Sequence, residues 1–185
     1  MDNKGEMYMT KAEMFAGLLS SENREFFLEM NEILGNEGLI ITHSNNRITY
    51  FPDTNRKNPL ELKKQQPLVL RYTIDENGEL IVELKLNFID CYADLIEKMP
   101  EHIKMVFRSI SRCGACAACK LPRDDGYPNC GIRRVYVIDG EHYYSCSYKF
   151  YYHIDISNPD DVEYYAKIIE SEVSAAKARK KHRTI

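Results

Sequence analysis

The chain has 185 residues, 44% of them hydrophobic and 29% charged, with a formal net charge of -3. That is ordinary globular usage, long enough to bury a core without a metal to fold around. A slightly acidic chain argues against wholesale binding to nucleic acid or anionic membrane, though it leaves room for a local basic patch.

The longest apolar runs, such as Leu39-Ile40-Ile41, fall far short of the roughly 20 residues that cross a bilayer. Met1 to Thr10 carries Asp2 and Glu6 and has no apolar core, unlike a secretory signal. The expected compartment is therefore the reducing cytoplasm. There, the six cysteines read as metal ligands, reactive thiols or core residues before disulfides.

Thr10 to Glu13 has the pattern of a capping box and predicts a short helix through about Leu19. Ser20 or Ser21 caps a second helix, in which Phe26, Phe27, Met30, Ile33 and Leu34 recur at helical spacing before Gly35 as terminator. Leu39 to Thr42 and Arg47 to Phe51 flank Ser44-Asn45-Asn46 and predict a hairpin. Pro52 to Gln66 is polar and aperiodic, a long loop. Leu68 to Ile74 and Leu80 to Leu86 alternate on either side of Asn77-Gly78, which predicts a second antiparallel hairpin. Tyr92, Leu95, Ile96 and Met99 mark a helix, and Pro100 begins another that carries Ile103, Val106, Phe107 and Ile110.

A third hairpin is predicted from about Ile132 to Ile154, turning at Asp139-Gly140. The last helix starts at Asn158-Pro159 and buries Val162, Tyr165, Ile169, Val173 and Ala176. Strands arrive in hairpins and not in βαβ units. The expected class is thus α+β: a mainly antiparallel sheet with packed helices, one domain over 1–185, and a cysteine-rich loop and hairpin over 111–154 within it.

Cys113, Cys116 and Cys119 form a C-x-x-C-x-x-C run, with Cys130 and Cys146 downstream. Two thiolates at C-x-x-C spacing reach one ion from a single tight turn, and zinc takes four such ligands in a tetrahedron. Gly114, Ala115, Ala117 and Ala118 let the backbone close around a metal. Five candidates compete for four places, and Cys116 belongs to either possible C-x-x-C pair. The expectation is one structural zinc per chain. An iron–sulfur cluster lacks its expected fourth cysteine. A redox dithiol lacks its βαβ setting.

A two-residue turn at Asp139-Gly140 pairs Ile138 with Glu141, and counting outward sets Cys146 opposite Arg133. Cys146 also alternates in phase with Tyr144, Tyr148 and Tyr152, so a core thiol is the competing reading. Cys91, in the helical region before the run, reads as a core thiol. A closed site of four cysteines holds structure and leaves no position for substrate.

The run Cys113 to Cys146, with Tyr136-Val137-Ile138-Asp139-Gly140 and Tyr143 to Cys146, resembles a bacterial family of cysteine-rich proteins of unknown function. The resemblance covers the last third of the chain. It implies a metal-binding module and lends no activity.

His43, His102, His142, His153 and His182 are scattered and read as surface or core residues. Asp124-Asp125 reads as a turn, and Asp160-Asp161 as charge favoured at a helix start. No phosphate loop or nucleophile elbow is present. Two binding surfaces are expected. One is a tyrosine belt (Tyr136, Tyr143, Tyr144, Tyr148, Tyr151 and Tyr152) for a small molecule or protein. The other is a basic tail (Lys177, Arg179, Lys180, Lys181 and Arg183), a solvated helix end that is also suited to nucleic-acid phosphates. The leading expectation is a non-enzymatic binding module with a structural zinc. The alternatives are a nucleic-acid regulator using the zinc loop and tail, and a thiol or iron–sulfur protein.

Overall fold

The computed structural model describes residues 10–35, 39–44, 46–52, 69–108, 133–146 and 151–182. Helix α1 (Lys11–Ala16) opens on the expected capping box, with Thr10 and Glu13 each accepting the other's backbone N–H. It stops short of Leu19. Helix α2 (Ser21–Gly35) begins beside Ser20, whose hydroxyl accepts from the Asn23 N–H. Arg24 donates back to the Ala16 and Leu19 carbonyls, joining the Leu19 N–H on the first of them and tying α2 to the end of α1. Gly35 remains helical and does not stand beyond the helix as its terminator.

Seven strands follow among the described residues: β1 (Leu39–Ser44), β2 (Arg47–Pro52), β3 (Leu70–Ile74), β4 (Leu80–Leu84), β5 (Arg133–Ile138), β6 (Glu141–Cys146) and β7 (Tyr152–His153). Between β4 and β5 lie a 3-10 turn (Ile89–Cys91), α3 (Ala93–Glu97) and α4 (Glu101–Phe107), the last with Pro100 at its N-cap. A second 3-10 turn (Pro159–Asp161) leads into α5 (Val162–His182), and the Asn158 side chain accepts from the Asp160 N–H at its start. The class is α+β, and every strand pairing among the described residues is antiparallel.

Five strands form one sheet in the order β1-β2-β3-β4-β7, while β5 and β6 form a separate two-stranded sheet. One face of the large sheet carries Ile48, Tyr50, Leu70, Tyr72, Val82, Leu84 and Tyr152, all buried. Helix α2 packs on it through Phe27, whose ring meets Tyr72 edge-on at 5.1 Å. Helix α5 lies against α2 and β2 and buries Val162, Tyr165, Ile169, Val173 and Ala176, as the spacing predicts. The β3–β4 turn is closed by the Asp75 carboxylate, which accepts from the N–H groups of Asn77 and Glu79 at 2.8 and 2.9 Å. Gly78 supplies the positive φ of +82°.

The third hairpin differs from its prediction. Its second strand is described over Glu141–Cys146, and Tyr152-His153 belongs to the large sheet, paired with Leu84 and Glu83. Alternation alone reads 144 to 154 as one strand because the apolar phase is kept. Long-range pairing instead puts the two ends of that stretch in different sheets, since Tyr152 completes the core row beside Leu84.

Candidate metal centre and the hairpin that carries it

The β5–β6 hairpin has a two-residue turn with both central residues at positive φ, Asp139 at 51° and Gly140 at 80°. That is the primed turn whose twist matches antiparallel strands. Ile138 pairs with Glu141, and the ladder runs out to Arg133 opposite Cys146, the register expected from the sequence.

Helix α4 holds the tip. Lys104 Nζ donates to both Asp139 oxygens at 2.8 and 3.0 Å, and Arg108 bridges Asp139 and Glu101. The Lys104 hydrogen bond comes first among the causes that hold the Asp139 carboxyl below its usual range, and Asp139 in turn raises Lys104. One face of the hairpin is then buried. Tyr136 and Tyr143 stack with ring centres 6.0 Å apart. The Tyr136 hydroxyl donates to the Phe107 carbonyl and meets the Tyr152 hydroxyl at 3.1 Å. Burial pushes Tyr152 up to about 12 and Tyr136 higher still.

A second polar seam ties the hairpin to the body. The Glu172 carboxylate, 0% exposed on α5, accepts from Asn87 N and Phe88 N at 2.8 and 3.0 Å and from the Tyr92 hydroxyl at 2.8 Å. Burial raises its pKa, against the pull of those donors. From β5, Arg134 Nε donates to the Asn87 carbonyl at 2.8 Å. The same 87–92 stretch is thus gripped from α5 and from the hairpin.

Cys113, Cys116, Cys119 and Cys130 lie outside the described residues, as do Tyr148 and Arg183. Cys146 is 6% exposed at the open end of the hairpin. Its strand phase is that of Val135, Val137 and Tyr144, which face outward, and yet it is buried. Among the described residues no three His, Cys, Asp or Glu side chains are placed to share a metal ion. Cys91, expected in the core, is exposed on its 3-10 turn. A three-residue turn presents only one side inward, and Ile89 occupies it.

The tyrosine belt does not form one surface. Tyr136, Tyr143 and Tyr152 are core residues, because the buried face of the hairpin is the one that carries Tyr143. Tyr144 is half-buried on the other face. Tyr151 is half-buried at the end of the large sheet, under Arg71 at 4.5 Å and near Lys85 at 5.2 Å. The outward face of the hairpin is instead marked by Val135 and Val137, 38% and 37% exposed. Lys177, Arg179, Lys180 and Lys181 sit on the last turns of α5, with Lys177 exposed.

Asp161 stands at the start of α5, as expected, on the 3-10 turn that leads into it. It is buried and receives His102 Nε2 at 2.8 Å and Asn158 Nδ2 at 3.1 Å. Glu172 was legible in principle, as a carboxylate between Ile169 and Val173 on the buried stripe of α5.

No helix among the described residues is long and apolar enough to cross a membrane. Compared with protein-family models, curated proteins and solved structures, the chain matches none.

Proposed function

We propose that this chain is a non-enzymatic binding module whose cysteine segment is closed onto the β5–β6 hairpin by one structural zinc ion. The observation that carries this reading is the tethering of that segment at both ends. It leaves α4 just after Phe107, whose carbonyl accepts from Tyr136 on β5, and it re-enters at Arg133, paired with Cys146. Tyr136 and Arg133 are about 10 Å apart along the strand, whereas the six residues from Phe107 to Cys113 reach about 20 Å. All five thiols are therefore within chain reach of one ion. Cys116 would take one place and three of Cys113, Cys119, Cys130 and Cys146 the others. The ion would cross-link loop to strand and leave no open position for chemistry. The outward strip of Val135, Val137 and Tyr144, next to Cys146, is the surface such a clamp would steady for a protein partner.

Elemental analysis with thiol titration tests the metal. The reading expects one zinc per chain and about four thiols that react only after chelation, with exposed Cys91 as the fast internal reference. Metal-free protein with rapid reaction in the cysteine segment overturns it. A photo-crosslinker tests the binding role. In place of Val137 it should trap a discrete partner in the source cells, while the inward Tyr143 position stays silent. Silence at both positions rejects the role.

A further inference from the structure

We infer that the β1 edge of the large sheet is a self-association site, at which a second copy of this chain adds its own β1 antiparallel about Ile41. In the five-stranded order, β1 is an outer strand, and among the described residues no strand lies beyond it. It is six residues long, Leu39-Ile40-Ile41-Thr42-His43-Ser44, with no lysine, acidic residue or proline. Those are the devices that ordinarily keep an edge from pairing. The opposite edge, β7, is two residues long and so is blunted by its length.

The geometry favours a copy of the same strand over other occupants. Two-fold antiparallel pairing sets Ile41 against Ile41 of the second copy and Leu39 against its His43. Only Ile41 meets its own copy across the axis, and it is apolar; the one titratable residue among Leu39–Ser44, His43, meets Leu39. Counting from the Ser44–Arg47 pair that closes the β1–β2 turn, alternate residues His43, Ile41 and Leu39 turn their N–H and C=O groups to the free side.

Beside that edge is a cleft of about 400 Å³ lined by Lys11, Met14, Phe15, Leu18 and His43. Met14 and Leu18 are 57% and 60% exposed, and Ile41 is 37% exposed. Leu39 of the second copy, placed opposite His43, falls at this cleft. The contact is self-complementary, so it closes as a dimer and does not propagate. The pairing strand is about 20 Å long on a sheet edge about 10 Å deep. Even with the cleft filled, this buries less than the roughly 1,200 Å² of a tight complex, so the dimer is weak and concentration-dependent.

Sedimentation velocity of the full chain from about 2 to about 200 µM brackets the affinity of so small an interface. The expected result is a monomer–dimer equilibrium within that range. Ile41→Lys and Leu18→Glu should each weaken it about tenfold or more, the first by setting two lysines against one another across the axis, the second by placing a charge against the apolar Leu39 of the second copy. Circular dichroism checks that both variants fold. Leu18, more than half exposed beyond the end of α1, keeps the test decisive if Ile41→Lys does not. Amide exchange should slow at Leu39, Ile41 and His43 as concentration rises. A monomer at every concentration overturns the inference, as does a dimer indifferent to both variants. A dimer lost on chelation, or with Val137→Lys, places the contact at the hairpin and also overturns it. A monomer at every concentration, or a dimer indifferent to both variants, leaves the zinc reading untouched, whereas loss of the dimer on chelation would speak for a bound metal while overturning this inference.

Discussion

Glu172 is where removal of one side chain should be felt most widely. Replacing it by alanine leaves Asn87 N, Phe88 N and the Tyr92 hydroxyl without their acceptor in a site that is 0% exposed. Each orphaned donor costs about 1–3 kcal/mol. Losing the carboxylate also removes the penalty for burying it, so the losses are partly offset, and the net is about 2–4 kcal/mol. For a chain of this size that is a fall in melting temperature of roughly 4–16 °C. Tyr92→Phe, which removes one donor and leaves the backbone pair satisfied, should cost about 1 kcal/mol.

Burial raises the Glu172 pKa in the folded chain. The folded state therefore holds this proton more tightly than the unfolded one, whose glutamate titrates near 4.3. The stabilising contribution of the group is complete below that pH and is lost as pH rises through the folded value. Glu172→Gln stays neutral throughout. Its stability relative to wild type should therefore improve as pH is raised from about 4 towards neutrality. Urea titrations of the three variants at several pH values measure this. A Glu172→Ala loss under about 1 kcal/mol, or a pH-independent Gln-to-wild-type difference, would refute the reasoning.

Two buried tyrosines should behave oppositely when their hydroxyls are removed. Tyr136→Phe deprives the Phe107 carbonyl and the Tyr152 hydroxyl of a partner and should cost about 1–2 kcal/mol. The fully buried Tyr72 hydroxyl has no hydrogen-bond partner among the described residues, so Tyr72→Phe should be neutral or stabilising by up to about 1 kcal/mol in the same denaturation assay. At the hairpin tip, a Cβ on Gly140 meets nothing within 4 Å, but its φ is +80°. Gly140→Ala should therefore cost about 1 kcal/mol through backbone conformation alone, and a larger loss would mean that the turn is packed in solution. In thiol titration Cys91, exposed, should label within the first phase, while Cys146 should label only as the hairpin opens. Equal rates would contradict the burial of Cys146.

Much of the architecture was legible because it is local. The Thr10–Glu13 capping box, the Asn77-Gly78 and Asp139-Gly140 turns and the α5 stripe each depend on residues a few positions apart. The hairpin turn alone determined that Cys146 stands opposite Arg133. Long-range pairing was not legible. Tyr152 continues the alternation of β6 but pairs with Leu84, because a period of two records only which side a residue takes and not which sheet it joins. For the same reason the tyrosine belt dissolved. Composition placed six tyrosines close in sequence, and packing sent Tyr136, Tyr143 and Tyr152 into the core. Cys91 went the other way, since a 3-10 turn has a single inward position and Ile89 holds it.

The sequence by itself determined the α+β class, the hairpin turns and the one stretch rich enough in thiols to hold a metal. Only the tertiary structure decided that Glu172 and Asp161 are buried acceptors and that α4 clamps the hairpin tip through Asp139. It also decided that both ends of the cysteine segment are held to the strand pair that bears Cys146. Burial and partnership join residues up to 85 positions apart, as between Asn87 and Glu172, and no local pattern in the chain encodes such a distance.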